Sequence, residues 1–373
     1  RHDATRVVHA GLPDAVVGEP FLPGPTLAAP FHLIGQPDDA PYGYGRDGNP
    51  TWTAYEQALG ELEDARSLVF PSGMAAVAAV LLSTLKPGDV LVAPADGYPG
   101  VRSIANEHMA PRGVDVRLVP TDEHAFLEAI GDGPVRVVWV ETPSNPRLDV
   151  VSIPRIADAA RAAGALVAVD NTVATPLGQR PLDLGADVSM MSGSKSLTGH
   201  SDLLLGAVAT RDDDLRARLR RWRTETGAIA GPFETWLAHR SLATLELRVT
   251  RSGANALAIA DALAARDDVR DVRHPARPED PAHAAATAQM TRFGPLVGFT
   301  LDSSDAAQAF LAASRLVTEA TSFGGVHTLA ERRARWCSDQ VPDGFIRLSA
   351  GIEDPGDLVA DICAALDAIS ARV

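Results

Sequence analysis

The chain of 373 residues is longer than one compact core usually accommodates, and its 46% hydrophobic and 22% charged residues are typical of a soluble globular protein of two domains. The formal net charge of −14 argues against nucleic acid or an anionic membrane as a partner. The chain has no bilayer-length apolar run, no apolar signal segment and only two cysteines, so we expect a cytoplasmic protein without disulfides or a metal site.

Residues 1–45 are rich in proline and glycine and have little hydrophobic periodicity. This composition predicts an extended N-terminal arm rather than a folded domain. An arm of this length is either disordered or packed on another surface, such as a second subunit.

Residues 46–232 alternate between helical patterns and short apolar runs bounded by Gly, Pro or Asp. Such alternation predicts a large domain with a mostly parallel sheet covered by helices. Ligands bind sheets of this kind beyond the C-terminal ends of the strands. The predicted strands are 67–70, 89–94, 115–119, 136–140, 165–169 and 187–191, and the predicted helices include 51–65, 74–85 and 153–163.

The pattern changes near residues 227–232, and residues 233–373 predict a smaller α+β C-terminal domain. A long helical stretch, 233–265, opens this part of the chain. Strands are predicted at 296–301 and 344–349, and helices at 306–313 and 357–369.

Lysine is rare in this sequence, which has Lys86 and Lys195 and abundant arginine. Arginine can replace lysine where only a positive charge is needed, but it cannot form an imine. Lys86 lies in the turn Leu-Lys-Pro-Gly-Asp, where it can cap the last carbonyls of a helix. Lys195, which follows a predicted strand, is therefore the candidate catalytic lysine.

Polar residues follow three of the predicted strands. Ser72 and Gly73 precede a helix, a place that attracts phosphate but is also a common helix cap. Asp170 could bind a metal, form a turn, cap a helix, or pair with the protonated pyridine nitrogen of pyridoxal 5'-phosphate (PLP). The segment 192–195, which a polar loop would also explain, offers two hydroxyls and an amine. Together the three strand ends predict one pocket for PLP.

With these residues the sequence resembles the cystathionine γ-synthase/γ-lyase (Cys/Met metabolism) family of PLP-dependent enzymes, from Ala4 to Glu353. The resemblance implies an α/β architecture, PLP fold type I (aspartate-aminotransferase-like), with a mostly parallel central sheet and a smaller α+β C-terminal domain. The matching motifs are Tyr44-Gly-Arg46, Ser72-Gly-Met74, Glu141-Thr-Pro-Ser-Asn145-Pro, Asp170-Asn-Thr172, Ser192-Gly-Ser194-Lys195 and Ser322-Phe-Gly-Gly.

The resemblance also implies roles for the cofactor site. Lys195 would hold PLP as an imine and then move protons, and Tyr98 would stack on the ring and act as an acid or base. Tyr44 and Arg46 would reach the phosphate of a neighbouring subunit, so the active site would depend on a dimer. The family resemblance further implies a homotetramer, a dimer of dimers with shared active sites. The other implied contacts are Gly73, Met74, Ser192 and Ser194 around the phosphate, and Asp170 and Thr172 at the pyridine end.

The implied substrate is a small amino acid. Arg347 would bind its carboxylate through paired hydrogen bonds, with help from Asn145 and Ser322. Glu141 and Thr321 complete the predicted substrate site. Thr321 stands where relatives that act on cystathionine often carry Glu, so the identity of the γ-substituent stays open.

The expected reaction is γ-elimination from a sulfur amino acid, as in cystathionine γ-lyase, giving a thiol amino acid, 2-oxobutyrate and ammonia. The alternatives are γ-replacement, or elimination from another γ-substituted amino acid in specialised metabolism. A Rossmann-type protein would carry Gly-x-Gly-x-x-Gly after its first strand, and Pro71-Ser-Gly-Met does not match that pattern. A non-catalytic relative would be expected to lose Lys195, Asp170 or Arg347, and all three are present.

Overall fold

Two β-sheets with flanking helices organise the chain in the computed structural model, which describes residues 1–370. The first sheet has seven strands in the order β1-β7-β6-β5-β4-β2-β3, and only β7 runs antiparallel to its neighbours. This confirms the predicted mostly parallel sheet. Its strands are β1 Arg66–Phe70, β2 Val90–Pro94, β3 Asp115–Val119, β4 Val137–Glu141, β5 Leu166–Asp170, β6 Val188–Ser192 and β7 Gly206–Thr210.

The apolar runs of the first sheet are buried on both faces because helices cover each side. In β4, Val137 and Trp139 belong to one core, and Val138 and Val140 belong to another. Alternate residues of a strand point to opposite faces, so this strand has no solvent-facing side. The helices of this half are α1 Asp3–His9, α2 Pro50–Glu63, α3 Gly73–Thr84, α4 Pro99–Ser103, α5 Glu123–Gly131, α6 Ile153–Ala162, α7 Thr175–Gly178 and α8 Asp213–Thr226.

The second sheet has five strands in the order β10-β11-β12-β9-β8, and three of its four pairs are antiparallel. Helices α10, α12 and α13 contribute to its core. Its strands are β8 Arg270–Arg273, β9 Leu296–Thr300, β10 Thr318–Glu319, β11 Leu329–Arg332 and β12 Phe345–Ser349, and its helices are α9 Pro232–Leu242, α10 Leu245–Ala264, α11 His283–Gln289, α12 Ser304–Ala313 and α13 Pro355–Ser370.

One sequence prediction about the helices is wrong. The stretch 233–265 is not a single helix, because α9 ends at Leu242 and α10 begins at Leu245. The Arg248 side chain, in the first turn of α10, stabilises this turn by donating a hydrogen bond of 2.9 Å to the carbonyl of Ser241 near the end of α9. The arm also differs from a fully extended segment, because it begins with α1. The domain boundaries after residues 45 and 232 stay predictions.

The C-terminal ends of the parallel strands lie along one edge of the first sheet. Cα pairing places Glu141 of β4 opposite Asp170 of β5, and Asp170 opposite Met190 of β6. The edge therefore brings together side chains that are separated by dozens of residues in sequence. No helix among residues 1–370 combines the length and apolar character needed to cross a membrane.

Candidate active site

A cavity opens at this edge of the first sheet, with about 800 Å³ of empty space that includes the open solvent at its mouth. Ten of the predicted site residues line it, and they come from the ends of five strands and the segments that follow them. The predicted lining residues are Gly73, Met74, Tyr98, Glu141, Asn145, Asp170, Thr172, Ser192, Ser194 and Lys195, and the wall also includes Ser72, Val77, Pro143, Val173, Met190, Leu204 and Phe323.

One end of the cavity is the N-terminus of helix α3. Ser72 caps this helix by accepting hydrogen bonds from Ala75 N at its hydroxyl (3.1 Å) and from Ala76 N at its carbonyl (3.1 Å). The amides of Gly73 and Met74 are then the remaining donors of the first turn, in the part of the chain that the structure describes. A Cβ on Gly73 would lie 2.8 Å from Cβ of Ser192, so only glycine fits there. This end is suited to an anion.

The floor of the cavity contains two buried carboxyl groups. Asp170 Oδ1 accepts hydrogen bonds from the backbone N–H (3.0 Å) and the hydroxyl of Thr172. Within residues 1–370, Oδ2 has no hydrogen-bond donor. Burial, and next the charge of Asp170, raise the pKa of Glu141 to about 8, and burial also raises the pKa of Asp170. Because burial opposes the ionisation of both acids, a positive charge next to them would be favourable at this floor.

Glu141 is held by two backbone groups. Its oxygens accept hydrogen bonds from Tyr98 N (2.6 Å) and Asn145 N (2.7 Å). Glu141 thereby connects the Tyr98 loop to the Asn145 loop. This arrangement favours a positioning role, and direct contact of Glu141 with substrate stays a prediction.

Lys195 lies in the loop after β6, with its amine in the cavity wall. Its Nζ donates a hydrogen bond of 3.0 Å to Ser322 Oγ and lies 5.4 Å from the centroid of the Phe323 ring. Burial and then the charge of Arg347 lower the pKa of Lys195, while Asp170 opposes the shift. The shift increases the fraction of neutral amine, which is the form that can act as nucleophile or base.

Arg347 lies just behind the cavity wall. It is 3% exposed and donates hydrogen bonds to Asn145 Oδ1 (2.6 Å) and to the carbonyl of Ser322 (2.8 Å). Burial and the neighbouring Arg333 lower the pKa of Arg347 to about 10, so it stays cationic at neutral pH. Ser322 thus contacts both Arg347 and Lys195. It does so in a left-handed backbone conformation (φ 81°), a costly geometry for serine that often accompanies function.

Of the remaining predicted residues of this region, Tyr98 and Ser194 line the cavity and Thr321 does not. Tyr98 is 43% exposed at the cavity and precedes α4. The Ser194 hydroxyl exchanges hydrogen bonds with the backbone of Leu205, donating at 3.3 Å and accepting at 3.0 Å. Thr321 does not line the cavity, and its hydroxyl lies 3.4 Å from Glu331 Oε1.

A model of the family described as Cys/Met metabolism PLP-dependent enzyme matches residues 27–367. This chain belongs to that family. A Streptomyces coelicolor protein named "Putative cystathionine gamma-lyase" is 56% identical over 98% of this chain and 93% of its own length. The structure of a methionine gamma lyase from Micromonospora echinospora is 39% identical, with a TM-score of 0.92, and the match covers 98% of this chain and 99% of that one.

A cystathionine gamma synthase from Xanthomonas oryzae pv. oryzae, solved with aminoacrylate and cysteine, has a TM-score of 0.95 at 34% identity over the full length of both chains. The α/β fold, PLP fold type I, is therefore confirmed. This member of the Cys/Met metabolism family is a PLP-dependent enzyme.

The cavity of this family member has the donors and acceptors that PLP requires. Helix-end amides and serine hydroxyls at one end suit a phosphate, and the carboxylate oxygen Asp170 Oδ2 suits a protonated pyridine nitrogen. The Lys195 amine is in the same wall and can form the covalent link to the cofactor aldehyde. The residues present therefore fit the cofactor.

Two predicted cofactor residues lie outside this cavity. Arg46 donates a hydrogen bond of 3.0 Å to the carbonyl of Thr224 in α8, and its guanidinium lies 5.6 Å from the centroid of the Tyr44 ring. Tyr44 is 48% exposed. Their predicted contact with a neighbouring subunit stays a prediction.

Two residues of this region were not predicted from the sequence. Phe323 lines the cavity, and both Lys195 and Arg347 lie over its ring. Glu331 is fully buried and accepts a hydrogen bond of 2.6 Å from Arg347. Phe323 belongs to the Ser322-Phe-Gly-Gly motif, so that motif could have drawn attention to it. Nothing in the sequence pairs Glu331 with Arg347, because the contact depends on strand register.

Proposed function

We propose that this enzyme catalyses γ-elimination from a sulfur-containing amino acid, in the manner of a cystathionine γ-lyase. The observation that carries the proposal is the double contact of Ser322, whose hydroxyl binds Lys195 Nζ and whose carbonyl binds Arg347. A carboxylate-binding cation and a base are thereby held next to each other. An amino acid bound by its carboxylate would present its Cα proton to Lys195.

The cofactor contacts that we propose follow the polarity of the cavity. The amides of Gly73 and Met74, with the hydroxyls of Ser192 and Ser194, would bind the phosphate. Asp170, oriented by Thr172, would pair with the pyridine nitrogen. Lys195 would hold the cofactor covalently between turnovers.

PLP, when bound, supplies an electron sink that stabilises negative charge next to the α-carbon of the substrate. Arg347 and Asn145 bind the substrate carboxylate and fix the orientation of the Cα–H bond. Lys195 Nζ removes the Cα proton, and its lowered pKa makes a neutral amine available for this step. Lys195 Nζ, once it has released the first proton, accepts a second proton from Cβ, and the Tyr98 hydroxyl donates its proton to the γ-sulfur as the Cγ–S bond breaks. Water then hydrolyses the remaining enamine to 2-oxobutyrate and ammonia.

The test uses the holoenzyme, L-cystathionine and continuous detection of 2-oxo acid with the visible absorbance spectrum. We expect the visible cofactor band to change on addition of substrate and 2-oxobutyrate to accumulate over many turnovers. A parallel reaction with an O-acylhomoserine and L-cysteine serves as the control for γ-replacement. Cystathionine formation there, without 2-oxobutyrate in the first reaction, would contradict γ-elimination.

We also propose that the enzyme is a homo-oligomer, in the form of a homotetramer, whose subunits share active sites. The support is the position of Tyr44 and Arg46 outside the cavity of their own chain. In addition, the arm exposes large apolar side chains at Val17, Phe21 and Ile34, which suits packing on another surface.

Mixing two inactive variants tests the shared site. If Arg46 completes the site of a neighbour, random mixing of Lys195→Ala and Arg46→Ala subunits should restore about a quarter of wild-type turnover, because half the dimers carry one intact site. The measurement is turnover after joint refolding or co-expression, with each variant alone as control. No recovery in confirmed mixed oligomers would show that each chain completes its own site.

A further inference from the structure

Glu331 is a buried carboxylate at the centre of an arginine cluster behind the active-site cavity. It lies on β11 directly opposite Arg347 on β12, in an antiparallel pair. Its Oε1 accepts hydrogen bonds of 2.6 Å from both Arg347 Nη2 and Arg333 Nη1. Its Oε2 accepts from Arg335 Nη2 (3.1 Å) and Trp336 Nε1 (2.8 Å).

Arg347 is bound on three sides. Its guanidinium donates to Asn145 Oδ1, to the Ser322 carbonyl and to Glu331 Oε1. A guanidinium has five N–H donors, so two remain. One of them, the buried Nε–H, has no acceptor among residues 1–370. A buried donor without a partner is costly, and a substrate carboxylate would satisfy it.

We infer that Glu331 is a positioning residue that sets the orientation of Arg347 for recognition of the substrate carboxylate. This inference rests on the proposed carboxylate-binding role of Arg347 and adds a second residue to it. Arg333, Arg335 and Arg347 all bind the buried carboxylate of Glu331, whereas the neighbouring carboxylate of Asp339 binds Arg333 alone among these three. Without the charge of Glu331, Arg347 would lose its shortest side-chain contact on β11 and be repelled by Arg333.

Burial raises the pKa of Glu331, but the charge of Arg347, the Trp336 hydrogen bond and Arg333 together bring it below its ordinary value. Glu331 is therefore ionised throughout the neutral range. A permanent anion at this point keeps the guanidinium in one orientation when no substrate is bound.

The test compares two ligands of the holoenzyme that differ only in a carboxylate, L-norleucine and 1-aminopentane. Binding of each is followed by the change in visible absorbance. For Glu331→Gln we expect the dissociation constant of norleucine to rise about 10- to 100-fold, and that of aminopentane to stay within about twofold. Equal weakening of both ligands, or no change, would overturn the inference. Tighter norleucine binding would also overturn it, because Glu331 would then only compete with the substrate carboxylate.

Glu319→Gln is the matched control. Glu319 also binds Arg335, at 2.9 Å, but has no contact with Arg347 among the described residues. We expect this variant to bind both ligands like wild type. A norleucine-specific loss in Glu319→Gln would place the effect in the arginine cluster as a whole and overturn the specific role of Glu331.

Two further variants separate the possible failures. Arg347→Ala should remove the preference for norleucine over aminopentane, and if the preference survives, both the role of Arg347 and the inference fail. If Arg347→Ala loses the preference but Glu331→Gln leaves the binding of both ligands unchanged, only the inference fails. Should Glu331→Gln not fold, Glu331→Asp keeps the charge with a shorter reach, and its norleucine binding should weaken by a smaller factor. Unchanged binding in that variant would overturn the inference.

Discussion

The Lys195→Ala variant is expected to fold, to bind PLP without a covalent bond, and to lose turnover by about 10³-fold or more, because the group that we propose to move the Cα proton is gone. The amine lies between Ser322 and the Phe323 ring and has a pKa below its ordinary value. Replacing the lysine side chain with the methyl group of alanine leaves only a small space in a half-buried loop, so the fold should persist. The measurement is the initial rate of 2-oxo acid release.

The scarcity of lysine provides an unusually clean control for this prediction. Lys86, the other lysine, is exposed in a turn, where its backbone N–H binds Asp89 Oδ2 at 2.8 Å. Lys86→Ala should leave turnover unchanged. After borohydride reduction, peptide mass analysis should place the cofactor on Lys195 in wild type and in Lys86→Ala. Full turnover of Lys195→Ala, or cofactor on Lys86, would contradict the assignment.

The Asp170→Asn variant is expected to keep PLP covalently bound and to lose kcat on the order of 10²- to 10³-fold, with a smaller change in KM. Asparagine preserves the shape and the contact with Thr172 but lacks the negative charge that keeps a pyridine nitrogen protonated. The electron sink would weaken, while the proposed binding of substrate by Arg347 would stay intact. Steady-state kinetics and the cofactor absorbance spectrum measure the two effects.

Asp187→Asn is the matched control for that change. Asp187 precedes β6 at the opposite end of the same sheet, and it accepts a hydrogen bond of 2.7 Å from Val167 N at the start of β5. It therefore has a structural contact similar to that of Asp170 but lies away from the cavity. An equal loss of kcat in both variants would indicate a general effect on the sheet and contradict the proposed role of Asp170.

The sequence by itself was sufficient to predict a mostly parallel sheet, six of its seven strands, and the proximity of the residues at the proposed cofactor end of the candidate site. Apolar runs between Gly, Pro and Asp predict buried parallel strands, and the C-terminal ends of parallel strands meet at one edge. Gly73, Asp170 and Lys195 each follow such a strand, so their proximity follows from topology alone. The rarity of lysine distinguished Lys195 from an ordinary charged loop residue.

Only the tertiary structure placed the residues whose contacts cross between strands and loops. The pairing of Glu331 with Arg347 depends on the antiparallel register of their strands, and a shift of one residue would abolish it. The sequence pattern of either strand does not determine that register. The small residues of β7 did not predict the antiparallel strand between β1 and β6, and the helical pattern of residues 233–265 did not predict the break between α9 and α10, where Arg248 binds the Ser241 carbonyl. Local patterns specify strands and strand ends, whereas a buried ion pair is specified by packing between segments that are far apart in the chain.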